Sequence, residues 1–357
     1  MHLGIIGLPS SGKTTIFNAL TGGDLPTGAL AGGGRFEVHT AVVDVPDPRL
    51  EALSDLLQPR KTTYAKVIYA DISGLQVGVG REGLPGSLVN QLQQVDGLLH
   101  VVRAFDDPVV PHPAGSIDPT RDLATMETEF LLHDMLTVER QLGRLADEHQ
   151  KGGRDRETID REITLFERLG KWLDQERPLR TFELSVDDVQ KLTGFSLLSR
   201  VPVLVVINLA EGDVTPGLEV SGDSVQVMSM QGKLEMEIAQ LPPDEAQSFL
   251  DEYGIEQAGR ERLIRASYDL LGLNSFFTCN EQEARAWTLP QGGTALEAAG
   301  TVHTDMARGF IKAEVIGWDQ LLELGGLAEA RAQGKLRLEG KDYTVADGEL
   351  IYIRFNV

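Results

Sequence analysis

The sequence predicts an α/β protein in which a helical segment interrupts an alternation of strands and helices. Short apolar runs typical of buried strands alternate with helical patterns before residue 123 and again from residue 200. Between these two points the apolar residues recur at helical spacing. We therefore expect an α/β domain over residues 1–122 and 200–274, an inserted helical hairpin over 123–199 and a third domain over 275–357.

The α/β domain carries clear local signals for its elements. Gly22 and Gly23 end the first helix, and Asp47 as N-cap with Pro48 in the first turn begins the second. Strands are predicted over HLGIIG, HTAVVDV, AKVIYADISG, DGLLHVVRAF, VPVLVVIN and SVQVMSM. Helices are predicted over KTTIFNAL, PDPRLEALSDLL and KLEMEIAQL.

The inserted segment is predicted to form two antiparallel helices joined by the polar turn KGGRDRE. Apolar residues recur at helical spacing on both sides of that turn, at Met126, Phe130, Met135, Val138, Leu142, Leu145, Ile159, Ile163, Phe166, Leu169 and Trp172. We favour packing of the two helices on each other over a groove for a partner.

The C-terminal region combines short strand patterns with one helix. ARAWTL, IKAEVI and DYTVADGELIYIRF predict strands, and Thr294 with Glu297 forms a capping box that begins the helix. Asp347 and Gly348 predict a tight β-hairpin turn. The region resembles a small ubiquitin-like β-grasp domain. His303 and Asp305 in the segment HTD are expected to be part of a helix end rather than a metal site or catalytic group.

Composition excludes several classes of protein. The 357 residues carry a formal net charge of -21, which disfavours general binding to nucleic acid and gives no support to sequence-specific DNA binding. No segment has the apolar length of a membrane span, and no secretory signal is evident. The single cysteine, Cys279, excludes an internal disulfide and is expected to be a buried thiol. We expect a cytoplasmic protein.

A nucleotide-phosphate site is predicted at the N-terminus. Residues 7–14, which we call the phosphate loop, match G-x-x-x-x-G-K-[ST] between a strand and a helix. Backbone amides of such a loop hold phosphate, the lysine bridges the β- and γ-phosphates, and the hydroxyl ligates Mg²⁺. The predicted ligands of the nucleotide here are Pro9, Ser10, Ser11, Gly12, Lys13, Thr14 and Thr15.

Two further segments extend this site. Asp71 ends a strand and Gly74 follows three residues later, a D-x-x-G pattern in which the carboxylate holds Mg²⁺ and the glycine amide meets the γ-phosphate. Asn208, Leu209 and Glu211 stand where GTPases carry N-K-x-D. In N-K-x-D the aspartate accepts the two N–H groups on the Watson–Crick edge of guanine, and adenine lacks both of them. Here Glu211 replaces that aspartate and Leu209 replaces the lysine, so the motif indicates a guanine-binding motif that has been altered. Met230 and Gln231, at the end of the strand SVQVMSM, complete the predicted nucleotide site.

Together these motifs resemble the YchF-type branch of Obg-related P-loop NTPases. The matching segments span nearly the whole chain: GLPSSGKTTIFNAL, VPDPRLEAL, DISGL, HVVRAF, NLAE, RLIRASYDLLGLNSFFT, EARAWTLPQGGTALEAAGTVHTDMARGFIKAEVI and GKLRLEGKDYTVADGELIYIRFNV. The resemblance implies a Ras-like nucleotide domain with an inserted helical hairpin and a C-terminal TGS domain of β-grasp type. It also implies Mg²⁺, ATP in preference to GTP and slow hydrolysis.

The resemblance places catalysis on a histidine. Leu75 occupies the position of the water-orienting glutamine, and the family is thought to use a histidine from a mobile loop, which here corresponds to His112. Relatives usually carry a threonine about where Arg35 falls, so the first switch departs from the family pattern. Thr27 or Thr40 would have to supply that hydroxyl.

We therefore predict a Mg²⁺-dependent P-loop ATPase that acts as a slow switch, with Lys13, Gly74 and His112 in catalysis. The alternatives are a nucleotide-binding scaffold with negligible hydrolysis and a GTPase of the Obg type. The resemblance implies the ribosome, or its large subunit, as partner. The sequence leaves the oligomeric state open, with a monomer as the expectation.

Overall fold

The computed structural model describes residues 1–27, 38–72, 84–152, 154–218, 225–252, 255 and 257–356. Packing divides the chain into two compact units. The first comprises Met1–Ala41 and Ile68–Arg260, and the second comprises Val42–Val67 and Glu261–Val357. The sequence alone predicts residues 42–67 within the first domain, whereas packing groups them with the C-terminal residues.

The secondary structure alternates between strands and helices in most of the chain. The strands are β1 (His2–Ile6), β2 (Val38–Asp44), β3 (Thr62–Thr63), β4 (Lys66–Ile72), β5 (Gly97–Arg103), β6 (Val203–Asn208), β7 (Val225–Met230), β8 (Leu273–Cys279), β9 (Ala284–Pro290), β10 (Phe310–Gly317), β11 (Arg337–Glu339) and β12 (Glu349–Phe355). The helices are α1 (Lys13–Thr21), α2 (Pro48–Leu57), α3 (Gly86–Leu92), α4 (Pro119–Lys151), α5 (Arg156–Leu173), α6 (Val186–Lys191), α7 (Gly232–Ala239), α8 (Pro243–Glu252), α9 (Gly259–Leu270), α10 (Ala295–Val302), α11 (Thr304–Arg308), α12 (Trp318–Leu324) and α13 (Leu327–Ala332).

The first sheet has the strand order β2-β4-β1-β5-β6-β7. From β4 to β7 neighbouring strands pair in parallel. Strands β5 and β6 are buried along their whole length, as their continuous apolar sequences predict. Because parallel strands end at one edge of a sheet, the residues that follow β1, β4, β5 and β6 come together there.

Helices α4 and α5 form the predicted antiparallel hairpin. Asp118 and Asp155 cap their N-termini through bonds from Arg121 N and Thr158 N. The apolar stripe does pack on itself from Leu131 onward. Met126 and Phe130 instead belong to the core under the first sheet, so the base of α4 is part of the nucleotide unit.

A buried carboxylate fixes the segment that leads back from the hairpin to β6. Asp134 is fully buried and accepts hydrogen bonds from Leu198 N at 2.7 Å and Ser199 N at 2.8 Å. It also accepts one from the Ser199 hydroxyl at 2.6 Å. Burial raises the pKa of Asp134 to about 7. The three donors hold Leu198 and Ser199, just before β6, against helix α4.

The second unit contains a mixed sheet with the order β11-β10-β12-β8-β9-β3. Strands β8 and β12 pair in parallel, while β8 with β9 and β10 with β12 pair antiparallel. This order, with α10 between β9 and β10, is that of a β-grasp domain. The capping box of Thr294 and Glu297 is present at α10 as predicted. His303 caps α11 through its Nδ1 atom, which accepts from Asp305 N at 3.1 Å.

The hairpin predicted at Asp347 and Gly348 is wrong. The strands β11 and β12 both pair with β10, so these two residues precede β12 without joining two paired strands. The Asp347 carboxylate instead accepts from Ser275 N at 2.8 Å and from Arg49 Nη1 at 2.5 Å. The turn before β12 favours an Asp-Gly pair just as a hairpin turn does, because Gly348 adopts a φ of +83°.

Cys279 is buried, and burial raises the pKa of its thiol, as expected for a residue without a reactive role. In the described ranges, no helix is both long and apolar enough to cross a lipid bilayer.

Candidate nucleotide site

The phosphate loop lies between β1 and α1, and two glycines in it meet neighbouring atoms too closely to carry a side chain. A Cβ atom on Gly7, where φ is +151°, would lie 2.3 Å from the carbonyl oxygen of Val101. A Cβ atom on Gly12, where φ is +93°, would lie 2.1 Å from Asn208 Nδ2. The glycines of the motif are therefore required by close approach as well as by backbone conformation.

The carbonyl groups of the loop are held by the protein. Lys13 Nζ donates to the carbonyl oxygens of Gly7 at 3.1 Å and Leu8 at 3.0 Å. Asn208 Nδ2 donates to the carbonyl oxygen of Ser11 at 3.0 Å. By contrast, the amides of Ser10, Gly12 and Lys13 donate to no other described group. A loop whose carbonyls are bound by the protein and whose amides are free can donate several N–H groups to a phosphate.

Lys13 adds a positive charge whose protonation depends on its surroundings. Burial lowers the pKa of its ammonium group to about 8, and the charge of Asp71 opposes part of that decrease. A bound polyphosphate would replace the carbonyl contacts with stronger ones and raise this pKa.

Asp71 and Thr14 supply two oxygen atoms suited to Mg²⁺. Thr14 Oγ1 donates to Asp71 Oδ2 at 2.7 Å, and Asp71 is 1% exposed. The other carboxylate oxygen, Asp71 Oδ1, and the hydroxyl of Ser11 are both buried, and neither has a hydrogen-bond partner among the described residues. A buried carboxylate oxygen without a partner beside a hydroxyl fits a hard cation or its water shell. Gly74, Leu75 and Arg35 lie outside the described residues.

Asn208 braces the phosphate loop from the end of β6. Its side chain is buried, and both halves of its amide are used by the protein. Besides the bond from Nδ2 to Ser11, Oδ1 accepts from Gly232 N at 3.1 Å. A Cβ atom on Gly232 would lie 2.7 Å from that oxygen, so glycine is needed at this position too. Asn208 therefore joins the phosphate loop to the start of α7.

The loop after β6 carries the predicted base-reading residues. Leu209 and Met230 are buried, and Leu209 N donates to the carbonyl oxygen of Met230 at 2.9 Å. Gln231 is the N-cap residue of α7. Glu211 is exposed, and its carboxylate makes no hydrogen bond or ion pair with a described residue. Pro9 and Ser10 are also exposed, and Thr15 is half-buried on α1.

His112 is held inside its own loop, residues 104–118, which we call the histidine loop. Its Nε2 atom lies 2.8 Å from Asp122 Oδ2, and both side chains are 5% exposed. Its Nδ1 atom accepts from Ala114 N at 3.1 Å. An Nδ1 that accepts leaves the proton on Nε2, which donates to Asp122. Both nitrogens are thus engaged, and the contact between the Ala114 amide and Nδ1 must open before His112 can accept a proton from water.

Reasoning from the sequence missed Arg103 and Asp122. Arg103 ends the apolar strand β5, where it is 1% exposed, and it contacts the phosphate loop by donating to the carbonyl oxygen of Ser10 at 3.3 Å. A lone cation at the end of the apolar run DGLLHVVRAF was the available signal. Asp122 carried no such signal, because an acidic residue in the first turn of a helix is common.

Comparison with known families places the chain among P-loop NTPases. The family model MMR_HSR1, described as "50S ribosome-binding GTPase", matches residues 2–139. The model YchF-GTPase_C, described as "Protein of unknown function (DUF933)", matches residues 273–356. The ribosome-binding ATPase YchF of Bacillus subtilis is 39% identical over 99% of this chain and 99% of its own length.

The chain belongs to the YchF family. The ribosome-binding ATPase YchF of Pasteurella multocida is 38% identical, again over 99% of both chains. The rice Obg-like ATPase 1 is 34% identical over all of this chain and 92% of its own. A solved structure of the Schizosaccharomyces pombe YchF GTPase covers 99% of this chain and 97% of its own, with a TM-score of 0.82 and 27% identity. Membership of the YchF family confirms the resemblance drawn from the motifs.

Proposed function

We propose that this chain is a Mg²⁺-dependent ATPase that works as a slow nucleotide-controlled switch on the ribosome. The observation that carries the proposal is the phosphate loop, in which the carbonyls of Gly7, Leu8 and Ser11 are held by side chains while the amides of Ser10, Gly12 and Lys13 donate to no described group. The names of two relatives, ribosome-binding ATPase YchF and Obg-like ATPase 1, support the reaction, and the first supports the partner.

The predicted residues divide into those that bind phosphate, those that hold the metal and those that contact the base. The amides of Ser10 to Lys13 bind the β-phosphate, and Lys13 bridges to the γ-phosphate, where the Gly74 amide also binds. Thr14 and Asp71 would hold Mg²⁺, which neutralises charge on the phosphates. Leu209, Met230 and Gln231 line the base, and the exposed Glu211 carboxylate selects adenine over guanine.

Turnover requires a change at His112 in this scheme. Water attacks the γ-phosphorus, the bond to the β-phosphate oxygen breaks, and a base receives the proton of the attacking water. The imidazole can be that base once the Ala114 amide releases Nδ1, while Asp122 keeps its bond to the protonated Nε2. The slow turnover that we expect follows from a ground state in which both nitrogens are occupied.

One set of measurements tests the function. The purified chain is titrated with ATP and with GTP in the presence of Mg²⁺, and phosphate release is followed for the wild type and His112→Ala. We expect tighter binding of ATP, slow release by the wild type and at least a tenfold lower rate in His112→Ala. His149→Ala is the matched control, because His149 is an exposed hairpin residue that contacts Asp160.

The outcomes separate the alternatives. Tighter binding of GTP would contradict the role of Glu211 and favour a GTPase of the Obg type. Binding of ATP without phosphate release by the wild type would favour a scaffold. Equal rates for the wild type and His112→Ala would remove His112 from catalysis. Sedimentation with 70S ribosomes and isolated 50S subunits, with and without ATP, tests the partner.

A further inference from the structure

Arg103 makes an unusual set of contacts at the edge of the sheet. It ends β5, it is 1% exposed, and each nitrogen of its guanidinium donates to a different backbone carbonyl. Nε donates to Phe105 at 3.1 Å, Nη1 to Ser10 at 3.3 Å and Nη2 to Val110 at 2.7 Å. The guanidinium carbon lies 4.4 Å from the centre of the Phe105 ring.

No described carboxylate forms an ion pair with this buried guanidinium. Its charge is balanced instead by three carbonyl dipoles and the face of an aromatic ring. A buried guanidinium is costly unless each of its nitrogens has an acceptor, so the three carbonyls must stay in place together. Movement of one carbonyl changes the energy of the contacts with the other two.

The three carbonyls belong to two functional segments. Ser10 lies in the phosphate loop with φ at +62°, a left-handed conformation that costs a non-glycine residue energy and needs external support. Phe105 and Val110 lie in the histidine loop, and Val110 is two residues before His112. Arg103 therefore binds both the loop that would hold phosphate and the loop that carries His112.

We infer that Arg103 is a positioning residue that couples the orientation of the Ser10 peptide in the phosphate loop to the position of the histidine loop. The inference rests on the proposed function, in which the phosphate loop binds ATP and His112 takes part in turnover. Binding of phosphates on the amide side of the loop reorients its peptides, and Arg103 passes that change to residues 105–112. Asn208 braces the neighbouring Ser11 carbonyl with its side chain, and its backbone carbonyl accepts from Ala104 N at 2.9 Å. That second bond is at the first residue of the histidine loop, whereas Arg103 binds Val110, close to His112.

The test compares two conservative variants. Arg103→Lys keeps the charge but cannot reach three carbonyls with one ammonium group. Arg121→Lys is the matched control, because Arg121 donates to Ser116 and Asp122 at the far end of the histidine loop and not to the phosphate loop. Hydrogen exchange is measured for peptides covering residues 8–13 and 105–112, without ligand and with a non-hydrolysable ATP analogue and Mg²⁺.

We expect Arg103→Lys without ligand to speed exchange in both segments by about tenfold or more, the factor that loss of a bond of about 1.4 kcal/mol gives. In residues 8–13 the change is measured at the Ser11 amide, which donates to the Leu8 carbonyl oxygen at 3.3 Å and belongs to the same peptide unit as the Ser10 carbonyl. In residues 105–112 it is measured at the Val110 amide, which donates to the Asp107 carbonyl oxygen at 3.1 Å. Arg121→Lys should change only the segment 105–112. In Arg103→Lys the analogue should still slow exchange in the phosphate loop but no longer in the histidine loop. The rate of phosphate release should fall about tenfold while the dissociation constant of ATP changes less than threefold.

Several results would overturn the inference. One is faster exchange in only one of the two segments. Another is an effect of the analogue on residues 105–112 that survives in Arg103→Lys. A third is an equal rise in exchange rate in all peptides of the protein, which would show a merely structural role. If the wild type releases no phosphate, the proposed function fails, while the ligand-free exchange pattern still decides the role of Arg103. If Arg103→Lys does not fold, Phe105→Leu is used instead, because it removes only the ring beneath the guanidinium. It should raise the exchange rate in the same two segments by about two- to threefold.

Discussion

The two ends of the candidate nucleotide site differ in how firmly the fold holds them. At the phosphate end, Lys13, Arg103 and Asn208 together bind four carbonyls of the phosphate loop. Gly12 leaves no space there for a side chain. At the base end, Glu211 is exposed and has no partner among the described residues. Contacts that other elements hold in place are expensive to disturb, whereas an exposed side chain changes at small cost.

This difference separates affinity from selectivity. The phosphate contacts are common to every nucleoside triphosphate, so substitutions there should weaken ATP and GTP alike. At the base end, ATP and GTP differ by only one or two hydrogen bonds to the protein. A substitution there should therefore change the ratio of the two affinities and little else. The following predictions test that separation, from the largest expected effect to the smallest.

Gly12→Ala should give the largest effect. The added Cβ would meet Asn208 Nδ2 at 2.1 Å, and the φ of +93° adds a strain of about 1–3 kcal/mol. Displacing Asn208 also breaks its bond to Ser11, so we expect affinity for ATP and for GTP to fall by about 100-fold or more. Isothermal titration measures the affinities, and urea unfolding measures the free energy of unfolding.

Gly194→Ala is the matched control for Gly12→Ala. Gly194 has a φ of +94°, and no atom of a described residue lies within 4 Å of an added Cβ. It should lose a similar amount of stability through backbone strain but keep its affinity for nucleotide. Equal affinities in the two variants would show that crowding at Asn208 is unimportant.

Raising the pH should weaken binding of both nucleotides through Lys13. Its pKa in the free protein is lowered to about 8 by burial, and polyphosphate raises it in the complex. The complex therefore binds a proton that the free protein has lost above pH 8. Affinity is fully present below pH 8 and falls by up to about tenfold for each further pH unit.

Titration at pH 7, 8 and 9 in two buffers of different ionisation enthalpy measures this proton uptake. Lys13→Arg, whose guanidinium stays protonated, is the control and should lose the pH dependence. Identical ATP affinities at pH 7 and pH 9 in the wild type would contradict the role of Lys13.

Glu211→Asp should give the smallest effect and act only on the base. The shorter side chain restores the N-x-x-D pattern that accepts the two N–H groups of guanine. We expect the affinity ratio of GTP to ATP to rise by about tenfold, the value of one net hydrogen bond, with no change in stability. Competition titration measures the ratio; an unchanged ratio would place base selection elsewhere.

Local sequence determined the elements and the chemistry of each segment. The phosphate-loop pattern, the caps at Asp47 and Thr294 and the hairpin stripe all depend on residues within a few positions of one another. Such signals can be read before anything is folded, because hydrogen bonds and helical spacing act over short distances along the chain. The same holds for Asp71, which the apolar run before it placed at the end of a strand.

Only the tertiary structure decided which groups bind one another across the chain. Asn208 lies 197 residues after Ser11, yet its amide is fully used in bracing the phosphate loop. Arg103 reaches carbonyls on two loops, and Asp347 binds Ser275 instead of forming a hairpin turn. The physical reason is that these bonds depend on strand order and register, which bring distant backbone groups together at the end of a sheet and leave no pattern in the local sequence.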